Sequence, residues 1–68
     1  MFGRNLRERR VAAGWSQEEL SDRSDLHLTE ISRLENGHRN PRMSTIIKLA
    51  DALAVGPGDL LAGTGAYG

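Results

Sequence analysis

With 68 residues, 38% of them hydrophobic, and no cysteine, the chain has room for one compact domain and no means of building a disulfide framework or a thiolate metal site. Lys and Arg balance Asp and Glu at formal net charge +0, without the basic surplus common in nucleic-acid binders, so any such reading has to rest on how the charge is distributed. No apolar run approaches the ~18 residues a membrane span needs, and the charged start from Arg4 lacks the apolar core of a secretory signal. A cytoplasmic chain with no membrane partner is expected.

Phe2, Leu6 and Ala13, with Arg10 on the same stripe, recur at helical spacing, and Gly14 suits the position just past a helix end. Ser16-Gln17-Glu18-Glu19 then forms a capping box. The Ser16 hydroxyl can accept from the Glu19 amide, and the Glu19 carboxylate can reach back to the Ser16 amide. A short helix over Gln17–Ser24 follows, and Asp25 falls where the chain must turn, in a conformation Asp tolerates better than most residues. A third helix is predicted over 28–36, closed by Gly37. It cannot run on through His38-Arg39-Asn40-Pro41, because Pro41 lacks an amide hydrogen and biases Asn40 away from helix. Ser44 is the expected cap of a fourth helix that turns Ile46, Ile47, Leu49, Ala50 and Leu53 inward and Lys48 and Asp51 outward. Gly56-Pro57 restarts the chain, since proline suits the first helical position, and a last short helix carries Leu60 and Leu61. The expectation is an all-α domain of five short helices over residues 1–61, with 62–68 as a flexible Gly-rich tail.

Charge alternates along this order. Arg4, Arg7, Arg9 and Arg10 oppose only Glu8 at the start. Glu18, Glu19, Asp22, Asp25 and Glu30 oppose only Arg23 in the middle, and Arg39, Arg42 and Lys48 have no acid among them beyond. Taken alone, this fits ordinary solvated helix faces.

Three segments together carry a more specific signal: Trp15-Ser16-Gln17-Glu18-Glu19-Leu20, then Ile31-Ser32-Arg33-Leu34-Glu35-Asn36-Gly37, then Arg39-Asn40-Pro41. In sequence and spacing they resemble the Xre family, the Cro and phage-repressor type of helix-turn-helix, over about Leu6 to Leu61. The resemblance implies a lambda-repressor-like five-helix fold whose second and third helices bind double-stranded DNA, usually as a homodimer, in a bacterial or phage setting on the nucleoid. It departs from the family pattern at two places. Asp25 stands where the turn usually has Gly, and Ser21 where the second helix usually has Ala.

The reading face also follows from geometry. At about 100° per residue, Ile31, Leu34 and Glu35 share one side of the third helix, and the two apolar members turn that side to the core. Thr29 and Arg33 lie about 160° from Ile31 in opposite senses and bracket the outward direction, with Ser32 and Asn36 on its flank. Arg can pair bidentately with guanine O6 and N7, and the Thr methyl can touch the thymine methyl. The family resemblance places base contacts at Leu28, Thr29 and Arg33; His27 and Ser32 lie within the same reach. Glu30, as the third residue after a His27 cap, suits the helix dipole better than it suits DNA.

Phosphate contacts are expected from Gln17, which opens the second helix where amides are unsatisfied, and from Asn36, Arg39, Asn40 and Arg42. Arg10 and Glu35 each lie on an apolar stripe, where an unpaired charge is costly, so they are expected to bond each other as a structural pair. Trp15 is expected as a plug beneath the first loop. His27 and His38 lack metal-ligand partners at the right spacing, no nucleophile is set beside a base, and no Gly-rich loop follows a strand. Neither metal, cofactor nor active site is expected. Val55, Leu60 and Leu61 follow a helix too short to bury them all and are the expected dimer interface. Same-fold alternatives are an antitoxin with a toxin partner, a restriction-modification controller, and a protein-binding module without DNA.

Overall fold

The computed structural model describes residues 2–61; the 62–68 tail and its expected flexibility lie outside the described residues. Within them the chain forms α1 (Phe2–Ala12), α2 (Gln17–Ser24), α3 (Leu28–Glu35), α4 (Met43–Leu53) and α5 (Pro57–Leu61). The fold is all-helical, as the periodicity predicts, with no strand among the described residues.

Each helix sends at least one fully covered side chain to a common centre: Leu6 from α1, Leu20 from α2, Ile31 and Leu34 from α3, Leu49 from α4 and Leu60 from α5. Burying a Leu or Ile fully is worth about 1.5–3 kcal/mol relative to leaving it exposed. No helix here is long enough to be stable alone in water, so this shared core is what makes them form. α1 packs on α3 and α5, α2 on α3 and α4, and α4 on α5. Asn5 Nδ2 donates to the Leu60 carbonyl at 2.9 Å, pinning α5 back onto α1.

Helix ends follow local chemistry. The Ser16 hydroxyl accepts from the Glu19 amide at 3.1 Å, making the first half of the expected capping box. α1, α3 and α4 all stop by the same device, with the chain passing through a left-handed residue while amides beyond it return to carbonyls of the last turn. Trp15 N bonds Arg10 O at 3.1 Å around Gly14, His38 N bonds Arg33 O at 2.9 Å around Gly37, and Val55 N bonds Ala50 O at 3.0 Å around Ala54. Ala54 does this without the freedom of glycine, at φ 58. α2 gives way at Asp25, φ 60, so Asp occupies the left-handed turn in which the family pattern has Gly.

Several details differ from the sequence expectation. Ser44 does not cap α4. The helix begins at Met43, two residues sooner than a Ser44 cap would place it, after an extended Arg42 whose side chain makes no cap bond. Ile47 is 45% exposed instead of inward, since α4 has neighbours on the side of Ile46, Leu49 and Ala50 only. Ala13 lies beyond the end of α1 and is exposed. Leu60 has 0% exposure and is consumed by this chain's own core, while Val55 and Leu61 pack partly against it. A fully covered side chain has nothing left to offer a second copy, so Leu60 drops out of the expected dimer interface.

Candidate nucleic-acid interface

α3 owes its orientation to its two sides. Ile31 and Leu34 fill the core, and the opposite side presents Thr29 and Arg33 to solvent, with Leu28 exposed at the start of the helix and Ser32 half-buried on the flank. His27 is the N-cap residue and exposed; its side chain makes no cap bond. Glu30 sits in the first turn, where its charge faces the positive end of the helix dipole. The five side chains expected to meet bases therefore occupy one helix and the residue before it.

α2 crosses behind this helix. Ser21 Oγ donates to the Leu26 carbonyl, tying the second helix to the turn and explaining why a hydroxyl serves where a methyl is usual. Ser24 Oγ, buried, donates to Leu20 O at 2.6 Å within α2. Trp15 is half-buried against the core, with the Arg23 guanidinium 4.3 Å from its ring centre, and Arg23 also bonds Glu19 at 2.6 Å. Arg39, Asn40 and Arg42 follow α3 as an exposed segment with His38, and Asn36 is the C-cap of α3.

Glu35 ends α3 with its carboxylate wholly covered and four donor contacts on two oxygens. Arg10 Nε donates to Oε2 at 2.7 Å and Arg10 Nη2 to Oε1 at 3.0 Å. Arg7 Nε and Gln17 Nε2 also donate to Oε1, at 3.2 and 3.1 Å. Arg10 spends a further donor on the Trp15 carbonyl at 2.8 Å. Burial would push the Glu35 carboxyl up, but the hydrogen bonds from Arg10, Gln17 and Arg7, with the charge of Arg10, outweigh it and hold the group below its ordinary value. The Arg10 guanidinium is held above its ordinary value, chiefly by the bond to Glu35 and against the opposing effect of burial. The cluster joins the ends of α1 and α3 and the start of α2, and no buried side-chain polar atom among the described residues lacks a partner.

Two consequences bear on the sequence reading. Gln17, expected to reach a phosphate, has one amide hydrogen committed to Glu35, so its orientation is set by α3. Arg7 and Gly3 are missed by the sequence reading. Arg7 lies three residues before Arg10, on the same face of α1, which was the available signal. Gly3 is buried, and a Cβ there would run into the Leu34 carbonyl oxygen and stand 2.8 Å from that of Glu35. α1 thus approaches the backbone of α3 directly, a contact between distant segments that leaves no periodic mark.

A compact bundle in which a capped helix braces a second helix with an outward polar face defines a helix-turn-helix DNA-binding domain. A helix-turn-helix family model matches residues 6–60, and the chain belongs to that family, the Xre-type transcriptional regulators. It is 44% identical over 62 residues to the control protein C.BamHI of Bacillus amyloliquefaciens, covering 90% of this chain and 76% of the relative. An uncharacterized HTH-type transcriptional regulator, y4dJ, of Sinorhizobium fredii is 38% identical over 64 residues, covering 94% and 83%. Among solved structures, the restriction-modification controller protein C.AhdI from Aeromonas hydrophila superposes with a TM-score of 0.84 at 44% identity, over 87% of this chain and 89% of that one. Among the described residues no helix is long and apolar enough to cross a membrane.

Proposed function

We propose that the chain regulates transcription by laying α3 in the major groove of a specific duplex site, acting by binding and not by catalysis, in the cytoplasm. Leu28, Thr29 and Arg33 read base edges, with His27 and Ser32 beside them. Gln17, Asn36, Arg39, Asn40 and Arg42 hold the phosphates on either side. The observation that carries this reading is the outward face of α3, polar and exposed on a helix whose other side is wholly buried.

The chain acts as a homodimer on two half-sites about 34 Å apart. Support comes from apolar surface a monomer leaves in water: Met43 at 61% and Ile47 at 45% exposure, one turn apart on α4. Val55 and Leu61, half-buried, remain candidates for that interface. Sedimentation of the full chain should give a dimer that Ile47→Glu dissociates; a monomer at high micromolar concentration removes this part. Likeness to C.BamHI and C.AhdI favours a more particular role, control of a restriction-modification system.

Selection from randomised duplex DNA, at stated salt, tests the main reading. Wild type should enrich a two-half-site motif, and Arg33→Ala should lose preference at one guanine position, weakening binding there by about 1–3 kcal/mol. Salt-insensitive background binding with no motif refutes it and points to a protein partner.

A further inference from the structure

The cluster around Glu35 holds two guanidinium groups against a single carboxylate, so it carries a surplus positive charge. Geometry says where the surplus lies. The Arg10 side chain is 13% exposed and is spent on both Glu35 oxygens and the Trp15 carbonyl. The Arg7 side chain is 51% exposed, bonds the carboxylate through Nε, and extends Nη2 to Asn36 Oδ1 at 3.2 Å. Asn36 in turn reaches Ser32 Oγ with its Nδ2 at 3.5 Å. Arg7, Asn36 and Ser32 therefore form a chain of polar contacts from α1 to the flank of the reading helix.

We propose that Arg7 is a further DNA contact, supplied by α1, that takes a phosphodiester oxygen of the duplex beside the one held by Asn36. This rests on the DNA-binding reading above. A guanidinium has five N–H donors in a rigid fork, and one edge suffices to meet a phosphate bidentately. With Nε held by a buried carboxylate, the outer edge of Arg7 is already aimed along the C-terminal side of α3 before DNA arrives. Such a side chain has less rotamer freedom to lose on binding than an unanchored surface arginine. Glu35 is then a positioning residue. It orients Arg7 from α1 and Gln17 from α2 together, so that phosphate-holding groups on both sides of the reading helix move with it as one unit.

The test is the salt dependence of binding by the full chain, to the selected duplex and to a scrambled one, for wild type, Arg7→Met and Arg4→Met. Arg4 is an exposed arginine on the same helix and outside the cluster. Arg7→Met should reduce the slope of log K against log salt by about 0.9, the value for one phosphate, which amounts to roughly eightfold in affinity over one decade of salt. The loss should be equal on both duplexes, because a phosphate contact carries no sequence information. Arg4→Met should change neither. An unchanged slope in a folded Arg7→Met overturns the inference while leaving DNA binding in place; failure of the wild type to bind duplex at all sinks the underlying reading instead. Because Arg7 also bonds a buried carboxylate, a second measurement avoids substitution altogether. Phenylglyoxal modification of Arg7 in the wild-type chain, followed by mass spectrometry, should slow several-fold when duplex is added, and an unaltered rate overturns the proposal.

Discussion

Where α1 meets α3 the contact is polar and close: Gly3 admits the carbonyls of Leu34 and Glu35, and Arg7 and Arg10 clasp the Glu35 carboxylate. α4 and α5 contact each other and contribute the apolar Ile46, Leu49, Ala50 and Leu60 to the core, and α4 leaves Met43 and Ile47 in water. Apolar packing tolerates exchange of shape at modest loss, whereas a covered carboxylate demands its partners in place. The half that presents α3 is thus the one with a specified geometry, and the half behind it supplies burial and leaves apolar side chains of α4 in water. A reader of DNA gains from that division. Hydrogen bonds weaken steeply away from good geometry, and those on Glu35 fix where the end of α3 lies against α1 and α2.

Breaking the polar half should have the largest effect. Arg10→Met removes two of the four donor contacts on Glu35 and leaves the carboxylate covered, and loss of one partner of a buried pair typically costs about 3–5 kcal/mol. Stability for a chain of this length is expected at about 3–10 kcal/mol, so urea unfolding at neutral pH should show a midpoint far below that of the wild type or no folded baseline.

Acid should separate the two halves next. The Glu35 carboxyl lies below its ordinary value in the folded chain. Its contribution is therefore fully present above the ordinary Glu value of about 4.3, and it is lost as pH falls from there through the lower folded value. Urea midpoints of the wild type should drop across that window. Glu35→Gln should start lower and drop less, whereas Leu49→Ala, in the apolar half, should start lower and keep the wild-type pH slope.

Gly3→Ala probes the close approach itself. The added methyl meets backbone carbonyl oxygens that cannot swing aside, and a forced fit of this kind costs about 1–3 kcal/mol. A melting temperature within a degree of wild type would mean that α1 and α3 do not touch as described. The smallest effect is a gain at the end of α4. Ala54 holds φ 58 in a position glycine occupies at the ends of α1 and α3, so Ala54→Gly should stabilise by up to about 1 kcal/mol in the same urea experiment. A loss of stability there would show that the Ala54 methyl contributes packing that outweighs the backbone strain.

Much was legible in the sequence, because much of it is local. The Ser16 cap, the glycine stops at Gly14 and Gly37, and the inward set Ile31, Leu34 and Leu49 act over one or two helical turns, so order along the chain determined them. Arg10 and Glu35 were legible for a related reason: a charge on an apolar stripe announces that a partner must exist.

Tertiary structure alone decided the rest. Ile47 and Leu60 exchange their expected places, one exposed and one buried, because the number of neighbours around α4 and α5 depends on how five helices meet. Gly3 is required by the backbone of a helix some thirty residues away, and Arg7 joins Glu35 only because α1 crosses α3 at the height of that carboxylate. Sequence spacing measures which residues share a helix face. Which faces touch, and how near, is settled by the simultaneous packing of all five helices, and that is where the polar hub around Glu35 was made.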